Sequence, residues 1–331
     1  MQNGVFLPAG ITVVVPARLH LGFLDLNGRL GRRFGSIGLA VGDLGTSITI
    51  RRTKRTEVIG PESDRVRQYL QAMERLLALD GRHGLNISKV VPAHAGLGSG
   101  TQLALAVATG LRRLHNLPLD VEGDALHLGR GTRSGVGIGL FSRGGLVVDG
   151  GRGNEPRPAP IVSHLPFPDH WRVLIILDPK LSGVHGADEV ATFAALAPMP
   201  DADAGHICRL VLMKALPAVV EQDLASFGAA IKELQVRVGD YFAPAQGNSR
   251  FTSRDVAAVL HTLDGAGAFG IGQSSWGPTG FAFAPSPEEA DRLATIARRH
   301  PSARGLDIRV CTGLNRGAEI VAHAPAYESD Q

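Results

Sequence analysis

The stretch PAHAGLGSGTQLALAVA, residues 92–108, constrains this chain more than any other segment. Three of the five residues from 96 to 100 are glycines, Ser99 and Thr101 stand among and after them, and an apolar, helix-like run follows at once. With no side chain at Gly96, Gly98 and Gly100, the backbone can approach an anion closely. Amides at a helix start point toward such an anion, and the helix dipole adds attraction. Ser99 and Thr101 can donate hydroxyl bonds or help cap the helix. The pattern is not a Walker A loop, because no Gly-Lys-Ser/Thr follows, and it is not a GxGxxG dinucleotide fingerprint. Composition alone fits a phosphate loop and a tight strand-to-helix turn equally well.

The rest of the chain is that of a globular protein with a large core. It has 331 residues, long enough for two domains without disulfide or metal staples. Cys208 and Cys311 are far apart and form no CxxC pair, so a reducing cytoplasm is expected. The apolar run after Gly10 is too short for a signal segment, and no stretch has the length of a membrane span. The chain therefore reads as cytosolic. Of 34 basic residues only Lys54, Lys89, Lys180, Lys214 and Lys232 are lysines, and the net charge is +3. Arginine in such excess fits a GC-rich genome, and it also suits planar, bidentate phosphate or carboxylate partners. Aromatics are only 5%, and no basic run is interleaved with stacking residues, so nucleic acid is not an expected partner.

Periodicity predicts strands over residues 12–15, 19–24, 46–52 and 85–91, the last running into the glycine loop. A helix is expected over 64–79, where Val66, Tyr69, Leu70, Met73, Leu76 and Leu77 recur at helical spacing. Another is expected over 101–114. Residues 144–151 and 171–179 read as strands, with a linker-like GRGNEPRPAP at 151–160. Residues 207–238 read as mainly helical with a break at Pro217. A glycine-rich turn within 265–285 leads into a strand. A helix over 287–299 and short strands at 307–311 and 319–322 complete the pattern. Strands and helices mix without strict alternation, which favours α+β.

Three ordered motifs point to one family. PAHAGLGSGTQLALA resembles the phosphate loop of the GHMP superfamily of small-molecule kinases. PARLHLGFLDLNG (16–28) looks like its N-terminal substrate motif, and GIGQSSWGPTGFAF (270–283) looks like its C-terminal glycine loop. The resemblance implies two lobes divided near residue 160: an N-terminal lobe (1–160) similar to the ribosomal S5 domain 2-like fold, and a C-terminal lobe (161–331) similar to a ferredoxin-like sandwich. It also implies a homodimer. In mevalonate-kinase-like members, SGVGIGLFSRGG (134–145) is matched by S-G-x-D, whose aspartate takes the substrate's hydroxyl proton. Here Gly137 stands at that position, and glycine accepts no proton. The segments RLHLGFLDLNG, GRGTRSGVGIGLFSRGG and GQSSWGPTGFAF are similar to a non-kinase branch, the β-ribofuranosylaminobenzene 5′-phosphate synthases. That likeness implies condensation of 5-phosphoribosyl 1-diphosphate with 4-aminobenzoate (4-hydroxybenzoate in some relatives), with loss of CO2 and pyrophosphate. The step belongs to tetrahydromethanopterin-type cofactor synthesis, with Mg²⁺ as the expected cofactor.

Breaking a ribosyl C1–O bond creates an oxocarbenium-like centre and a diphosphate anion, which need donors where charge develops. On this reading Gly96, Leu97, Gly98, Ser99, Gly100 and Thr101 hold the leaving diphosphate. Asp25 is expected to bind Mg²⁺ or face the cationic C1, although Asp before Asn27-Gly28 also suits a turn cap. Arg18 and His20 share a face at strand spacing and suit the 5-phosphate or the benzoate carboxylate; a hydrogen-bonded core role fits His20 equally. Arg32 and Arg33 lie in a glycine-rich stretch able to close on an anion, or in a solvated loop. Arg130 and Arg133 suit phosphate or carboxylate, or surface charge. Ser274 and Ser275 suit the diphosphate, and Trp276 suits stacking on the aromatic acid or a place in the core. The stretch SGVHGADE (182–189) suits a lid. No histidine pair has zinc-ligand spacing. The two rival readings are an ATP-dependent GHMP kinase and an RNA-binding protein built on the S5-like lobe.

Overall fold

The computed structural model describes residues 8–183 and 186–324. The first lobe is one seven-stranded sheet backed by helices. Its elements are β1 (Gly10–Asp25), β2 (Phe34–Thr53), β3 (Glu57–Ile59), α1 (Ser63–Leu76), β4 (Arg82–Lys89), α2 (Ser99–Leu114), α3 (Val121–His127), α4 (Val136–Arg143), β5 (Leu146–Asp149) and β6 (Ile161–Leu165). Then come β7 (Arg172–Leu177), α5 (Gly186–Ala195), α6 (Asp201–Leu210), a π-turn (Val211–Ala215), α7 (Leu216–Val220), α8 (Leu224–Phe242), α9 (Arg254–Gly265), β8 (Phe269–Gln273), β9 (Thr279–Ala284), α10 (Pro287–Arg299), β10 (Asp307–Thr312) and β11 (Glu319–His323).

The first sheet runs β11-β1-β2-β4-β3, with β5 on the other half of β2 and β6 beyond it; the second runs β10-β7-β9-β8. Among the described strands only the β3–β4 pair is parallel. Sheet membership crosses the division expected at residue 160. β6 pairs with β5, and β11 pairs with β1 from Gly10↔His323 to Val14↔Glu319. The mixed helices and sheets are the α+β architecture expected.

Four clusters of core side chains hold the described residues together, the smallest joining α4 to β2 and β5 through Ala40, Val136, Leu140 and Val147. Ile11, Val13 and Val15 of β1 pack with Ile48, Ile50, α1 and α2. Further along the same strand, Ala17, Leu19, Leu21 and Phe23 pack instead with Trp171, Ile175, Phe227 and Phe283 across the lobe junction. A third cluster joins the outer face of the second sheet to α9 and α10. One long strand thus threads the first two cores. α2 is buried on nearly every side because it is built largely of small and aliphatic residues.

Most expected elements are present, and α10 has the bounds read from its pattern. Pro217 does not break the helical stretch. The helix runs unbroken from α6 through the π-turn Val211–Ala215 into α7, so the proline follows a locally widened turn, and the chain leaves the helix at Glu221–Gln222 before Asp223 caps α8. Of the segment read as a lid, Val184, His185 and the side chains of 187–189 lie outside the described residues.

Candidate active site

A cleft of about 450 Å³ opens at the start of α2. β1 supplies Arg18, His20 and Phe23 to it. Alternation alone would put Phe23 on the opposite face from His20. A bulge between His20 and Gly22 offsets the ladder, and the two rings meet with centroids 4.5 Å apart.

The glycines of the loop each make room for a neighbour. Gly98 begins α2 with φ +74°, and a Cβ there would stand 2.7 Å from the Arg18 Nε. Gly96, at φ +81°, abuts the last glycine loop: a Cβ would come within 2.1 Å of the Ser274 carbonyl oxygen. The Arg18 amide donates to the Leu97 carbonyl at 3.0 Å, which ties β1 to the loop, while the Leu97 side chain lies in the core. Gly96, Gly98, Ser99, Gly100 and Thr101 all line the cleft.

Ser274 holds these pieces together. Its hydroxyl accepts from the His20 amide (3.0 Å) and donates to the Gly96 carbonyl (2.7 Å), and the residue is fully buried. Both its hydrogen-bonding roles are spent inside the protein, so its structural place is that of a tie between β1, the phosphate loop and the C-terminal loop. Ser275 and Trp276 line the cleft. Trp276 packs on Phe242 (4.3 Å) and Phe193 (5.5 Å), and Phe193 also meets Phe23 and carries the Arg133 guanidinium 5.5 Å above its ring. One wall of the cleft is therefore aromatic. Among the described residues, the buried Trp276 Nε1 and His20 Nε2 have no hydrogen-bond partner.

Burial, with the Arg18 charge beside it, holds the His20 pKa well below the usual imidazole value, so the ring is neutral at pH 7. Asp149 is fully buried beneath the loop before α4. Its carboxylate accepts from the Ser36 hydroxyl (2.7 Å), the Ser134 hydroxyl (3.2 Å), and the amides of Gly135 and Gly151 (2.9 Å each). Burial raises its pKa although these donors oppose the rise. It anchors the cleft-lining Ser134 and the first turn of α4.

Besides the buried Leu97 and Ser274, three more expected residues do not line the cleft. Asp25 does not line the cleft; its Oδ1 accepts from the amides of Asn27 (2.8 Å) and Gly28 (3.1 Å), the turn-capping role its sequence context allows. Arg32 donates to the carbonyls of Gly150 (2.7 Å) and Gly151 (2.6 Å), and Arg33 lies 5.3 Å from the Phe34 ring; neither lines the cleft. The cleft also contains residues given no role from the sequence: Phe23, His94, Thr132 and Ser134, which lie within the quoted motifs, and Arg65 of α1, which lies outside them. Arg65 stood within a stretch read for its apolar stripe. Its position one turn before Tyr69 was the only available signal.

The charge balance is one-sided. Arg18, Arg65, Arg130 and Arg133 line the cleft with His20 and His94, and no carboxylate is among the described residues that line it. No group of three or more potential metal ligands occurs among the described residues. The lining offers the hydroxyls of Ser99, Thr101, Thr132, Ser134 and Ser275, which alone do not fit a resident Mg²⁺. At Gly137 a Cβ would meet the Thr101 methyl at 3.2 Å, so threonine occupies the space beside that position.

The profile of the GHMP kinases N terminal domain matches residues 64–141, and that of GHMP kinases C terminal matches 215–303. The chain is 34% identical to a β-ribofuranosylphenol 5′-phosphate synthase of Archaeoglobus fulgidus, covering 92% of this chain and 97% of the relative. The chain belongs to the GHMP family. A second β-ribofuranosylphenol 5′-phosphate synthase, from Methanocaldococcus jannaschii, is 36% identical over 82% of this chain and 88% of its own. Solved GHMP structures share the fold. L. major mevalonate kinase in complex with R-mevalonate superposes with a TM-score of 0.68 at 17% identity, covering 96% of this chain and 100% of that one. Homoserine kinase from Cytophaga hutchinsonii gives 0.66 at 16% identity, with 95% and 98% covered. No helix among the described residues is long and apolar enough to cross a membrane.

Proposed function

We propose that this chain transfers a phosphoribosyl group from 5-phosphoribosyl 1-diphosphate to the ring of 4-aminobenzoate or 4-hydroxybenzoate, releasing CO2 and pyrophosphate. The observation that carries this reading is a GHMP cleft lined by four arginines and no described carboxylate, with Thr101 packed against Gly137. Such a lining suits a polyanionic substrate and lacks the acidic base that phosphoryl transfer to an alcohol uses. The name of the synthases from A. fulgidus and M. jannaschii supports the same chemistry.

The reaction needs no net proton. The C1–O bond of the ribosyl diphosphate breaks, and its electron pair leaves on pyrophosphate. The ring carbon bearing the carboxylate, made electron-rich by the para substituent, supplies the pair that forms the C–C bond. The C–CO2 bond then breaks and its pair restores aromaticity. The amides from Gly98 to Thr101, with Arg18, receive the growing diphosphate charge. Arg133, held over the Phe193 ring, suits the 5-phosphate. Phe23 and Trp276 flank the ring. A carboxylate beside these apolar faces gains by leaving as neutral CO2. The remaining acceleration comes from holding both substrates in line. Mg²⁺ belongs to this proposal as the counter-ion of the diphosphate substrate. A homodimer in the cytoplasm completes it, carried by the family resemblance.

The test is release of labelled CO2 from carboxyl-labelled acid in the presence of 5-phosphoribosyl 1-diphosphate and Mg²⁺. Turnover with stoichiometric pyrophosphate is expected. ATP consumption with a small alcohol, and no CO2, would overturn the reading.

A further inference from the structure

α1 was read from its sequence as a core helix, and Tyr69 as one of its buried apolar residues. The structure gives that tyrosine a second use. Its ring lies beneath the Arg130 guanidinium, with the Cζ 5.3 Å from the ring centroid, and its hydroxyl accepts from the Arg130 NH2 at 2.5 Å. Arg130 comes from the loop between α3 and α4, yet its NH1 reaches across to the phosphate loop. A Cβ at Gly100 would stand 3.1 Å from it, so the guanidinium lies directly over the loop backbone. The Arg130 Nε is shielded from solvent and has no hydrogen-bond partner among the described residues. Arginine carries five donors in a planar fork, and here only part of the fork is used.

We infer that Arg130 is a ligand of the diphosphate group, and that Tyr69 is the positioning residue that holds it over Gly100. The inference rests on the proposed function for the identity of the anion and adds the device that grips it. Three features act as a unit. Gly100 leaves the space, Tyr69 supplies both a face and a hydroxyl, and Arg130 completes a cradle whose other side is Arg18 against Gly98. The aromatic face also limits the rotamers of a long side chain, so less entropy is lost when the anion binds.

The experiment is calorimetric binding of inorganic pyrophosphate and inorganic phosphate to the whole chain, with turnover measured in parallel. Removing one charge-assisted hydrogen bond costs on the order of 10- to 100-fold in affinity. Arg130→Met is expected to weaken pyrophosphate by about that factor, and Tyr69→Phe, which keeps the ring, by roughly 3- to 10-fold. The Tyr69 hydroxyl also donates to the Gly100 carbonyl at 3.5 Å, so in the double variant Tyr69→Phe adds less to the loss from Arg130→Met than it costs alone. Gly100→Ala reproduces the Arg130→Met defect in part, and KM for the phosphoribosyl donor rises more than kcat falls. Melting temperatures near wild type show that the variants fold. Pyrophosphate bound by Arg130→Met as tightly as by wild type, or additive losses in the double variant, overturns the inference while leaving turnover of the donor intact. A wild-type chain that neither binds pyrophosphate nor turns over the donor sinks the proposed function itself.

Discussion

Replacing Ser274 with alanine separates two roles that its sequence leaves open. If the hydroxyl held substrate diphosphate, Ser274→Ala would raise KM and leave the fold alone. The structure assigns the hydroxyl to the His20 amide and the Gly96 carbonyl, with none of the residue exposed. Truncation leaves one buried donor and one buried acceptor without partners, each costing about 1–3 kcal/mol. The expected loss is about 3 kcal/mol. With an unfolding entropy near 2 cal/mol/K per residue, that lowers the melting temperature of a chain this long by about 4 °C. Activity should fall as well, because Gly96 and His20 are the two sides of the cleft that the hydroxyl pins together. Urea unfolding followed by circular dichroism, beside initial rates over a range of donor concentrations, measures both. A variant as stable as wild type within 0.5 kcal/mol, with only KM raised, would refute the assignment of Ser274 as a tie.

Other expectations follow from single contacts. Gly98→Ala must adopt φ +74° and displace the Arg18 side chain, so it costs about 1–2 kcal/mol in backbone strain and raises KM for the donor; an unchanged KM contradicts the placement of Arg18. Gly137→Asp pushes against the Thr101 methyl and adds negative charge to the arginine-lined cleft; it is expected to weaken pyrophosphate binding without creating ATP-dependent kinase activity, read by isothermal calorimetry and a coupled ATPase assay. His115 is held down to about pKa 4, first by burial and then by the charges of Arg52 and His83. Its folded value lies below that of the unfolded chain, so protons favour unfolding, and its stabilising effect, present above about pH 6.5, is lost as pH falls toward 4. The urea midpoint should therefore drop across that window, and less so in His115→Asn. Asp25→Asn is expected to keep near-wild-type turnover, since the carboxylate caps a turn outside the cleft; a loss of activity beyond tenfold would return Asp25 to the site.

The local chemistry of the site was legible where one residue type serves one purpose. Alternating glycines marked the phosphate loop, and each now has a neighbour that a methyl group would strike. The helix 287–299 was readable because Ser286, Pro287 and an acidic first turn form an unambiguous start. Residues with two possible employers were not separable in one dimension. Asp25 before Asn27-Gly28 fits a turn or a ligand, and Ser274 fits a tie or a donor. Only long-range partners, 254 positions away for His20 and Ser274, decide between them. Arg65 and Tyr69 were hidden for a different reason. A helix with an apolar stripe advertises its core face, and nothing in its periodicity tells that the rim of that face overlooks a cleft. The bulge that brings Phe23 beside His20 was equally silent, because strict alternation is the only rule a strand pattern supplies.

The pairing of β11 with β1 carries a consequence for how the chain is made. The opening strand gains its outer neighbour only from residues more than 300 positions later. During synthesis the first lobe must wait, with one margin of its sheet bare, until His323 has cleared the ribosome. Contacts of such long sequence separation close slowly. In that interval an unpaired strand edge is open to the wrong partner. A change that loosens β11 is thus felt first at β1, some 300 positions earlier in the chain.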